Sequence, residues 1–193
     1  MCNLYSLSKS SAEVAKWFGV SNAVGRANYG EEVYPGYPGL VVAQGELRPM
    51  TWGFPLVLKS KRTGEPLKPK PVNNARTDKL DSFFWRHSFE ERRCLIPLTA
   101  WAEYEGPAGK KTKVWQSLPE SELFACAGVW RSSDEWGDCY SMVMTDAAGD
   151  AAQFHTRMPV ILMPEAYEKW QEGVPKDAFA LCRPYAGKLK VER

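Results

Sequence analysis

Short apolar runs, rich in β-branched and aromatic residues and separated by turn-forming residues, dominate the pattern along the chain. They read GLVVAQ (39–44), MTWGF (50–54), CLIPLTAWAEY (94–104), ELFACAGVW (122–130) and CYSMVMT (139–145). Runs of this length and composition are typical of largely buried strands. The pattern therefore predicts a mostly antiparallel sheet, or a partly closed barrel, at the centre of the fold.

Two segments carry helix-end signals instead. In SSAEVAKWFG (10–19), Ser10 and Glu13 fit a capping box and Gly19 fits a helix stop. The segment PEAYEKWQEG (164–173) has a proline near its start and a glycine at its end. Both segments are predicted to be short helices.

The rest of the sequence indicates how the domain is organised. Residues 21–39 contain glycine and proline without clear periodicity, so we predict a loop there. The sequence has no internal repeat, no low-complexity tract and no convincing linker. We therefore predict one α+β domain over residues 1–193, with a β-rich, mostly antiparallel, partly barrel-like centre and a few short helices.

Composition narrows the class of protein. The 193 residues are 44% hydrophobic and include 8 each of Trp, Tyr and Phe, which excludes disorder of the whole chain. The net charge of +2 is too small to indicate a nucleic-acid partner by itself. Because the sequence has no long apolar run and no secretion signal, we expect a cytoplasmic protein without a membrane partner, associated with the nucleoid in a bacterium. We also expect a monomer.

The cysteines divide into two kinds. The five are Cys2, Cys94, Cys126, Cys139 and Cys182, a spacing that matches no zinc pattern, so we predict no metal and no cofactor. Cys94, Cys126 and Cys139 lie in apolar runs and are predicted to pack in the core. Removal of Met1 would give Cys2 both an α-amine and a thiol, with pKa values near ~8 and ~8.5. Simple packing remains the alternative for Cys2.

Residues 59–79 form the most basic segment of the chain. They contain seven basic residues and two acidic ones, and Pro66, Pro69 and Pro71 favour an extended backbone. The segment is either a solvated loop or an arm that follows phosphates, through residues such as Lys68 and Lys70. Trp52, just before the segment, is a candidate for stacking on a DNA base.

Other stretches concentrate polar side chains beside apolar runs. PVNNARTDK contains Asn74 and Arg76, RRCLIPLTAWAEYEG contains Glu103, and AQFHTRMPVIL contains His155 and Arg157. Each residue alone has an ordinary explanation: a turn cap, an exposed strand carboxylate, a loop histidine or a surface charge.

Together these stretches resemble the SOS response-associated peptidase (SRAP) family, the abasic-site processing proteins. The resemblance rests on MCN (1–3), NAR (74–76), CLIP (94–97) followed by AEY (102–104), and HTRMP (155–159), with further likeness in WGF (52–54) and FACAGVW (124–130). The chain departs from the family pattern at Asp78, where a glutamate is usual, at Leu98-Thr99-Ala100, where Ala-Asp-Gly is usual, and at Ala102-Glu103-Tyr104, where an aromatic residue, Glu and Trp are usual.

The resemblance implies a function in the response to DNA damage. Cys2, exposed by autoproteolytic removal of Met1, would capture abasic sites in single-stranded DNA as a thiazolidine, and a lyase activity is a further expectation. The implied catalytic residues are Cys2, Asn74, Glu103 and His155, with Glu103 as general acid and base. The resemblance also implies that Arg76 and Arg157 bind DNA, and Trp52, Lys68 and Lys70 complete the predicted DNA-binding residues.

Two other functions remain open from the residues. A glutamine amidotransferase-like hydrolase with an N-terminal nucleophile would also use Cys2, although glycine typically follows the cysteine there and this chain has Asn3. In a non-catalytic single-stranded DNA-binding module, Cys2 would only pack.

Overall fold

The computed structural model describes residues 2–107 and 109–193. The strands are β1 (Tyr5–Ser6), β2 (Ser21–Asn22), β3 (Glu32–Val33), β4 (Pro38–Ala43), β5 (Glu46–Trp52), β6 (Phe54–Leu56), β7 (Lys70–Val72), β8 (Asn74–Arg76), β9 (Arg93–Leu98), β10 (Ala100–Glu105), β11 (Thr112–Ser117), β12 (Phe124–Ser133), β13 (Gly137–Asp146), β14 (Arg157–Pro159), β15 (Ile161–Leu162) and β16 (Lys190–Glu192). The α-helices are α1 (Ser11–Phe18), α2 (Arg86–Glu91), α3 (Tyr167–Glu172) and α4 (Pro175–Ala180), with 3-10 turns at Thr77–Lys79, Gly149–Gln153 and Pro164–Ala166.

The larger sheet closes on itself through the strands β13, β12, β9, β4 and β5. Each strand pairs antiparallel with the next, and β5 returns to β13 in a parallel pairing of Thr51 with Cys139 and of Trp52 with Tyr140. Because the described strands of this ring are odd in number, they cannot alternate direction all the way round. The ring confirms the prediction of a mostly antiparallel, partly barrel-like centre.

A smaller sheet with the order β16-β11-β10-β1-β3 covers one face of this ring. Successive residues of the ring strands point to opposite sides of the sheet and belong to two different hydrophobic clusters. One cluster packs against α1 to α4, and the other contains Tyr5 of β1 and Trp101 of β10 from the smaller sheet. Cys2 lies in the second cluster, so the candidate site is built between the two sheets.

Both predicted helices are confirmed, with slightly different ends. Helix α1 has Ser10 as its N-cap with the complete capping box to Glu13, and it stops at Gly19, which has a φ of 65°. In the segment 164–173, a 3-10 turn precedes α3, and Gly173 follows its last residue. Local side-chain and glycine signals therefore placed these helices well.

Two strand predictions are corrected. The predicted loop 21–39 contains the short strands β2 and β3, which pair with β5 and β1. The single run 94–104 is divided at Thr99, so that β9 joins the ring and β10 joins the smaller sheet. Thr99 makes the change of sheet by donating its backbone N–H to the carbonyl of Ser6, at 2.8 Å. No local feature of the sequence marks the short strands β2 and β3 or the division of the run at Thr99.

The basic segment is an arm built on the pairing of β6 with β7. Beyond these strands, Lys59 and Pro66 form an isolated bridge and the N–H of Leu67 bonds to the carbonyl of Leu58. The predicted extended backbone is therefore confirmed for this part of the segment. Among the described residues, every helix is too short or too polar to span a bilayer.

Candidate active site around Cys2

Cys2 lies just before β1 and has no exposed surface. Its Sγ donates to the carbonyl of Leu4 at 3.3 Å, and the same carbonyl accepts the backbone N–H of Ala102 at 2.9 Å. This shared acceptor ties Cys2 to β10, the strand that carries Glu103. The predicted core positions of Cys94, Cys126 and Cys139 are also confirmed, since none has exposed surface.

The backbone carbonyl of Cys2 is held from the other side by two adjacent amides. The side-chain Nδ2 of Asn74 donates to it at 2.8 Å and that of Asn73 at 2.9 Å. Asn74 begins β8, which pairs in parallel with β13 at Met142. The Oδ1 of Asn74 is buried and accepts no hydrogen bond from the described residues. A buried acceptor costs about 1–3 kcal/mol unless it gains a donor, which makes this oxygen a candidate contact for an amine or hydroxyl.

Glu103 projects from the centre of β10 and is only 6% exposed. Burial raises the pKa of its carboxyl above the ordinary value. Burial also raises the pKa of the Cys2 thiol to about 12, and the negative charge of Glu103 acts in the same direction. The charge of Glu103 therefore acts on the thiol, and each group favours its protonated form more than it would in water.

His155 precedes β14 and is partly buried. Its Nδ1 accepts the backbone N–H of Arg157 at 2.9 Å, which leaves Nε2 to carry the proton in the neutral ring. Burial is the main cause of the lowered pKa of His155, and the positive charge of Arg157 acts in the same direction. His155 is therefore suited to exchange a proton through Nε2 as a neutral imidazole.

The two predicted DNA-binding arginines meet in one ion-pair network. Arg76 binds Asp78 through two hydrogen bonds of 2.9 and 2.6 Å. Arg157 lies 3.6 Å from Asp78 and 3.3 Å from Asp146. These bonds hold the exposed guanidinium of Arg76 and the partly buried guanidinium of Arg157 beside the pairing of β13 with β8 and β14.

Strand β8 connects this network to the group around Cys2. Asn74 and Arg76 are two residues apart on the strand, so their side chains project from the same face about 7 Å apart. The structure thus brings Cys2, Asn74 and Glu103 together, and it brings His155 to the arginine network. Asn73 joins the first group although the sequence analysis did not select it; its only signal is the doubled asparagine at 73–74.

Trp52 has a different position from the one expected of a DNA-stacking residue. It has no exposed surface, packs edge-on against Tyr5 and donates its Nε1 to the carbonyl of Asn73 at 3.0 Å. This is a correction, because a buried indole offers no face to a base. Lys68 and Lys70 are exposed on the arm, so their predicted DNA contacts remain predictions.

Two buried tyrosines lie in the same hydrophobic cluster as Cys2. The hydroxyls of Tyr5 and Tyr140 are 2.5 Å apart and fully buried. A side chain on Gly39 would place its Cβ 2.2 Å from both oxygens, so only glycine fits there. Within the described parts of the chain, no group of three His, Cys, Asp or Glu side chains is placed to hold a metal ion.

The sequence pattern of the SOS response associated peptidase (SRAP) family matches residues 1–193. The chain belongs to this family. A curated relative, the abasic site processing protein YMR114C of Saccharomyces cerevisiae, is 28% identical over 104 residues. That match spans 51% of this chain and 28% of the yeast protein, so most of the yeast protein lies outside the matched region.

Solved structures share the fold over nearly the whole chain. A protein from Bordetella bronchiseptica is 22% identical, with a TM-score of 0.80 and 98% of both chains covered. A protein from Bacteroides thetaiotaomicron is 21% identical, with a TM-score of 0.77 over 98% of this chain and 90% of the other. A phage-related protein from Bordetella bronchiseptica is 18% identical, with a TM-score of 0.72 over 99% of this chain and 93% of the other. At these identities the likeness concerns the fold alone.

Proposed function

We propose that this SRAP protein captures abasic sites in single-stranded DNA covalently through Cys2, after removal of Met1. Abasic-site processing is also the function in the name of the yeast relative. The observation that carries the proposal is the convergence on Cys2 of a buried amide and a buried carboxyl. Asn74 bonds the Cys2 carbonyl at 2.8 Å, and Glu103 is close enough for its charge to shift the thiol's pKa.

The chemistry uses both nucleophiles of an N-terminal cysteine. The open form of an abasic deoxyribose carries an aldehyde. The α-amine of Cys2 adds to the aldehyde carbon, and the aldehyde oxygen leaves as water to give an imine. The Cys2 sulfur then bonds to the same carbon while the imine nitrogen accepts the thiol proton. One C–N and one C–S bond form, one water is released, and no oxidant or reductant is needed.

Glu103 fits the proton transfers of this sequence. Loss of water needs an acid, and closure of the ring needs a base for the thiol proton. A carboxyl whose pKa is raised by burial holds a proton at a higher pH than a solvated one, so it can fill the first role and then the second. Because burial raises the pKa of the thiol to about 12, we expect the amine to attack first and the thiol to need this base.

The arginine network fits the phosphates beside the captured sugar. Arg76 lies on the same face of β8 as Asn74, about 7 Å further along. Arg157 joins it through Asp78. A strand whose sugar lies at Cys2 can therefore place its next phosphate at the guanidinium groups. The arm with Lys68 and Lys70 is proposed to follow the strand beyond that point.

The peptidase named by the family is proposed to be the removal of Met1 by the protein itself. Only this cleavage frees the α-amine that the imine requires. In a translation system without methionine aminopeptidase, hydrolysis of the bond between Met1 and Cys2 should lower the mass of the parent protein by one methionine residue. A lyase activity would follow if Glu103 or His155 removes a sugar proton after imine formation, and it would appear as strand cleavage at the abasic site.

The main experiment mixes Met1-free protein with a single-stranded oligonucleotide that carries one abasic site. We expect a heat-stable adduct of one protein and one strand, with the modified peptide containing Cys2. An oligonucleotide whose abasic aldehyde has been reduced to the alcohol is the matched control and should give no adduct. Cys2→Ser should give at most a reversible imine, which borohydride traps.

Other outcomes would identify a different function. Release of ammonia from glutamine without a DNA adduct would indicate an amidotransferase-like hydrolase. Reversible binding of intact and abasic strands with equal affinity would indicate a non-catalytic module. A stable adduct on Cys2 from protein that still carries Met1 would contradict the proposed chemistry, because the amine would then be part of a peptide bond.

A further inference from the structure

Two neighbouring asparagines donate to the same backbone oxygen, which is unusual for consecutive residues of an extended chain. Side chains at successive positions of a strand point to opposite faces. The exception arises because β7 ends at Val72 and β8 begins at Asn74, which leaves Asn73 in the break between them. There its side chain turns towards the Cys2 carbonyl, where both lone pairs are then used by Asn73 and Asn74.

Asn73 is itself fixed from the core. Its backbone carbonyl accepts the indole N–H of Trp52 and the backbone N–H of Met142, both at 3.0 Å. Both donors belong to buried residues of the closed ring. Its side-chain Nδ2 also lies 3.2 Å from Oδ1 of Asn3. The ring thus determines where the Asn73 amide can point.

We propose that Asn73 is a positioning residue for Cys2, and that Asn73 and Asn74 form a two-amide clamp on the Cys2 carbonyl. This inference rests on the proposed function of Cys2. In Cys2 the α-amine is attached to the Cα and the thiol to the Cβ next to it, so fixing the adjoining carbonyl limits rotation about the Cα–C bond that orients both groups. After Met1 is removed, this residue becomes the chain end, where rotation is otherwise least restricted.

The clamp should contribute to the rate of ring formation and not to the affinity for DNA. Holding reacting groups in place speeds a reaction by reducing the orientations they must search, and misplacement by about 1 Å can cost up to ~10²-fold. Asn73 is one of two donors to the carbonyl. We therefore expect its loss to slow the reaction about 10-fold at saturating DNA, with the half-saturating DNA concentration unchanged.

The first test measures single-turnover adduct formation on abasic single strands for Met1-free Asn73→Ala and Asn73→Asp. Both are expected to react about 10-fold more slowly at saturation. The second variant keeps the shape of the side chain but loses the donor, so it separates hydrogen bonding from volume. Asn3→Ala is the matched control, because among the described residues it removes the bond between Asn3 and Asn73, and it should react at the parental rate. Thermal unfolding checks that all variants are folded.

The second test omits DNA. An N-terminal cysteine forms a thiazolidine with a small aldehyde such as glycolaldehyde, followed by mass spectrometry as a gain of the aldehyde mass minus water. Asn73→Ala should slow this reaction as well. If the parent forms a thiazolidine with glycolaldehyde but no adduct with abasic DNA, the proposed function fails while the clamp stands. Parental rates for both folded Asn73 variants, in either assay, would overturn the clamp.

Discussion

Arg93 and Glu103 are both buried charged residues, and burial works against the charge of each, but the groups around them differ. Arg93, at the start of β9, donates to the backbone carbonyls of Phe89, Glu90, Trp170 and Gly173. These carbonyls lie at the C-terminal ends of α2 and α3, where helices leave carbonyls without intrahelical partners and favour a cation. Glu103 instead lies close to the buried thiol of Cys2, and burial raises its pKa.

The difference between the two surroundings indicates what each residue contributes to the protein. Around Arg93, burial lowers the pKa of the guanidinium, but the four carbonyls that accept its hydrogen bonds stabilise the charged form and join two helices to the ring. Around Glu103, burial works against the charged form and favours a protonated carboxyl close to a nucleophile. Such a cost in folding free energy is common where proton transfer is needed. The comparison predicts that Arg93 matters for stability and Glu103 for reaction rate.

The largest expected effect follows Glu103→Gln. Gln keeps the size and hydrogen bonding of the side chain but cannot transfer a proton, so adduct formation should slow about 10²- to 10⁴-fold with DNA affinity unchanged. Single-turnover kinetics measures the effect. Glu105→Gln, two residues along β10, is the control and should react like the parent. If Glu105→Gln is impaired and Glu103→Gln is not, the family alignment of this stretch is displaced by two residues.

The same variant should make the protein more stable at neutral pH. The folded-state pKa of Glu103 lies above its ordinary value of about 4.5, so the ionised carboxyl costs folding free energy at higher pH. Gln removes that cost. The gain in unfolding free energy over the parent should therefore be present near pH 8 and disappear as the pH falls to about 4.5 and below. Urea unfolding at several pH values would show this trend or contradict it.

The second effect, on stability, follows Arg93→Met. Methionine leaves several buried carbonyls without donors, each worth about 1–3 kcal/mol, so the free energy of unfolding should fall by about 3 kcal/mol or more. Adduct formation per folded molecule should remain parental. Arg86→Met, on the exposed side of α2, is the control and should change stability little. An equally large loss in Arg86→Met would mean that removal of a positive charge in general, and not loss of the buried contacts, destabilises this region.

How well the sequence predicted each region depended on the range of the determining contacts. The capping box of Ser10 and Glu13 spans three residues, so the sequence contains the complete signal for the start of α1. Glu103 was selected through the family pattern of a whole stretch, and the structure places it in the strand β10. Cys94, Cys126 and Cys139 were recognised as core residues because each lies in an apolar run.

The remaining features depend on contacts between distant segments. Arg93 stood in the quoted stretch RRCLIP but had no sequence signal, since its partners around Trp170 and Gly173 lie more than 75 residues away. The clamp residue Asn73 was passed over because only the break between β7 and β8 turns its amide towards Cys2. Trp52 was misjudged because closure of the ring through β5 and β13, which buries it, cannot be read from local periodicity.

A smaller effect is expected for the surface arginines. Arg76→Ala and Arg157→Ala should each weaken binding of undamaged single strands about 3- to 10-fold and reduce the salt dependence by about one ion. The losses are moderate because each arginine already shares its charge with Asp78. Titrations at several salt concentrations measure both quantities. Arg26→Ala, an exposed arginine on another segment, is the control, and an equal loss there would indicate only a general charge effect.

The smallest expected effect, and the one that most directly tests the network, follows Asp78→Asn. The guanidinium of Arg76 holds the pKa of Asp78 below its ordinary value, so this carboxyl is ionised at neutral pH and competes with phosphate for both arginines. Removing its charge should strengthen single-strand binding about 2- to 3-fold, because exposed ion pairs are worth at most about 1 kcal/mol. The salt dependence should become steeper.

Asp81→Asn gives the same change in net charge two residues beyond the 3-10 turn at Thr77–Lys79 and serves as the control. A stronger effect of Asp78→Asn than of Asp81→Asn would assign the gain to release of the arginines. Weaker binding by Asp78→Asn, despite its added positive charge, would mean that Asp78 orients Arg76 and Arg157 for phosphate. Restoration of parental binding by Asp78→Glu would then support that orienting role, since glutamate is the residue usual in the family at this position.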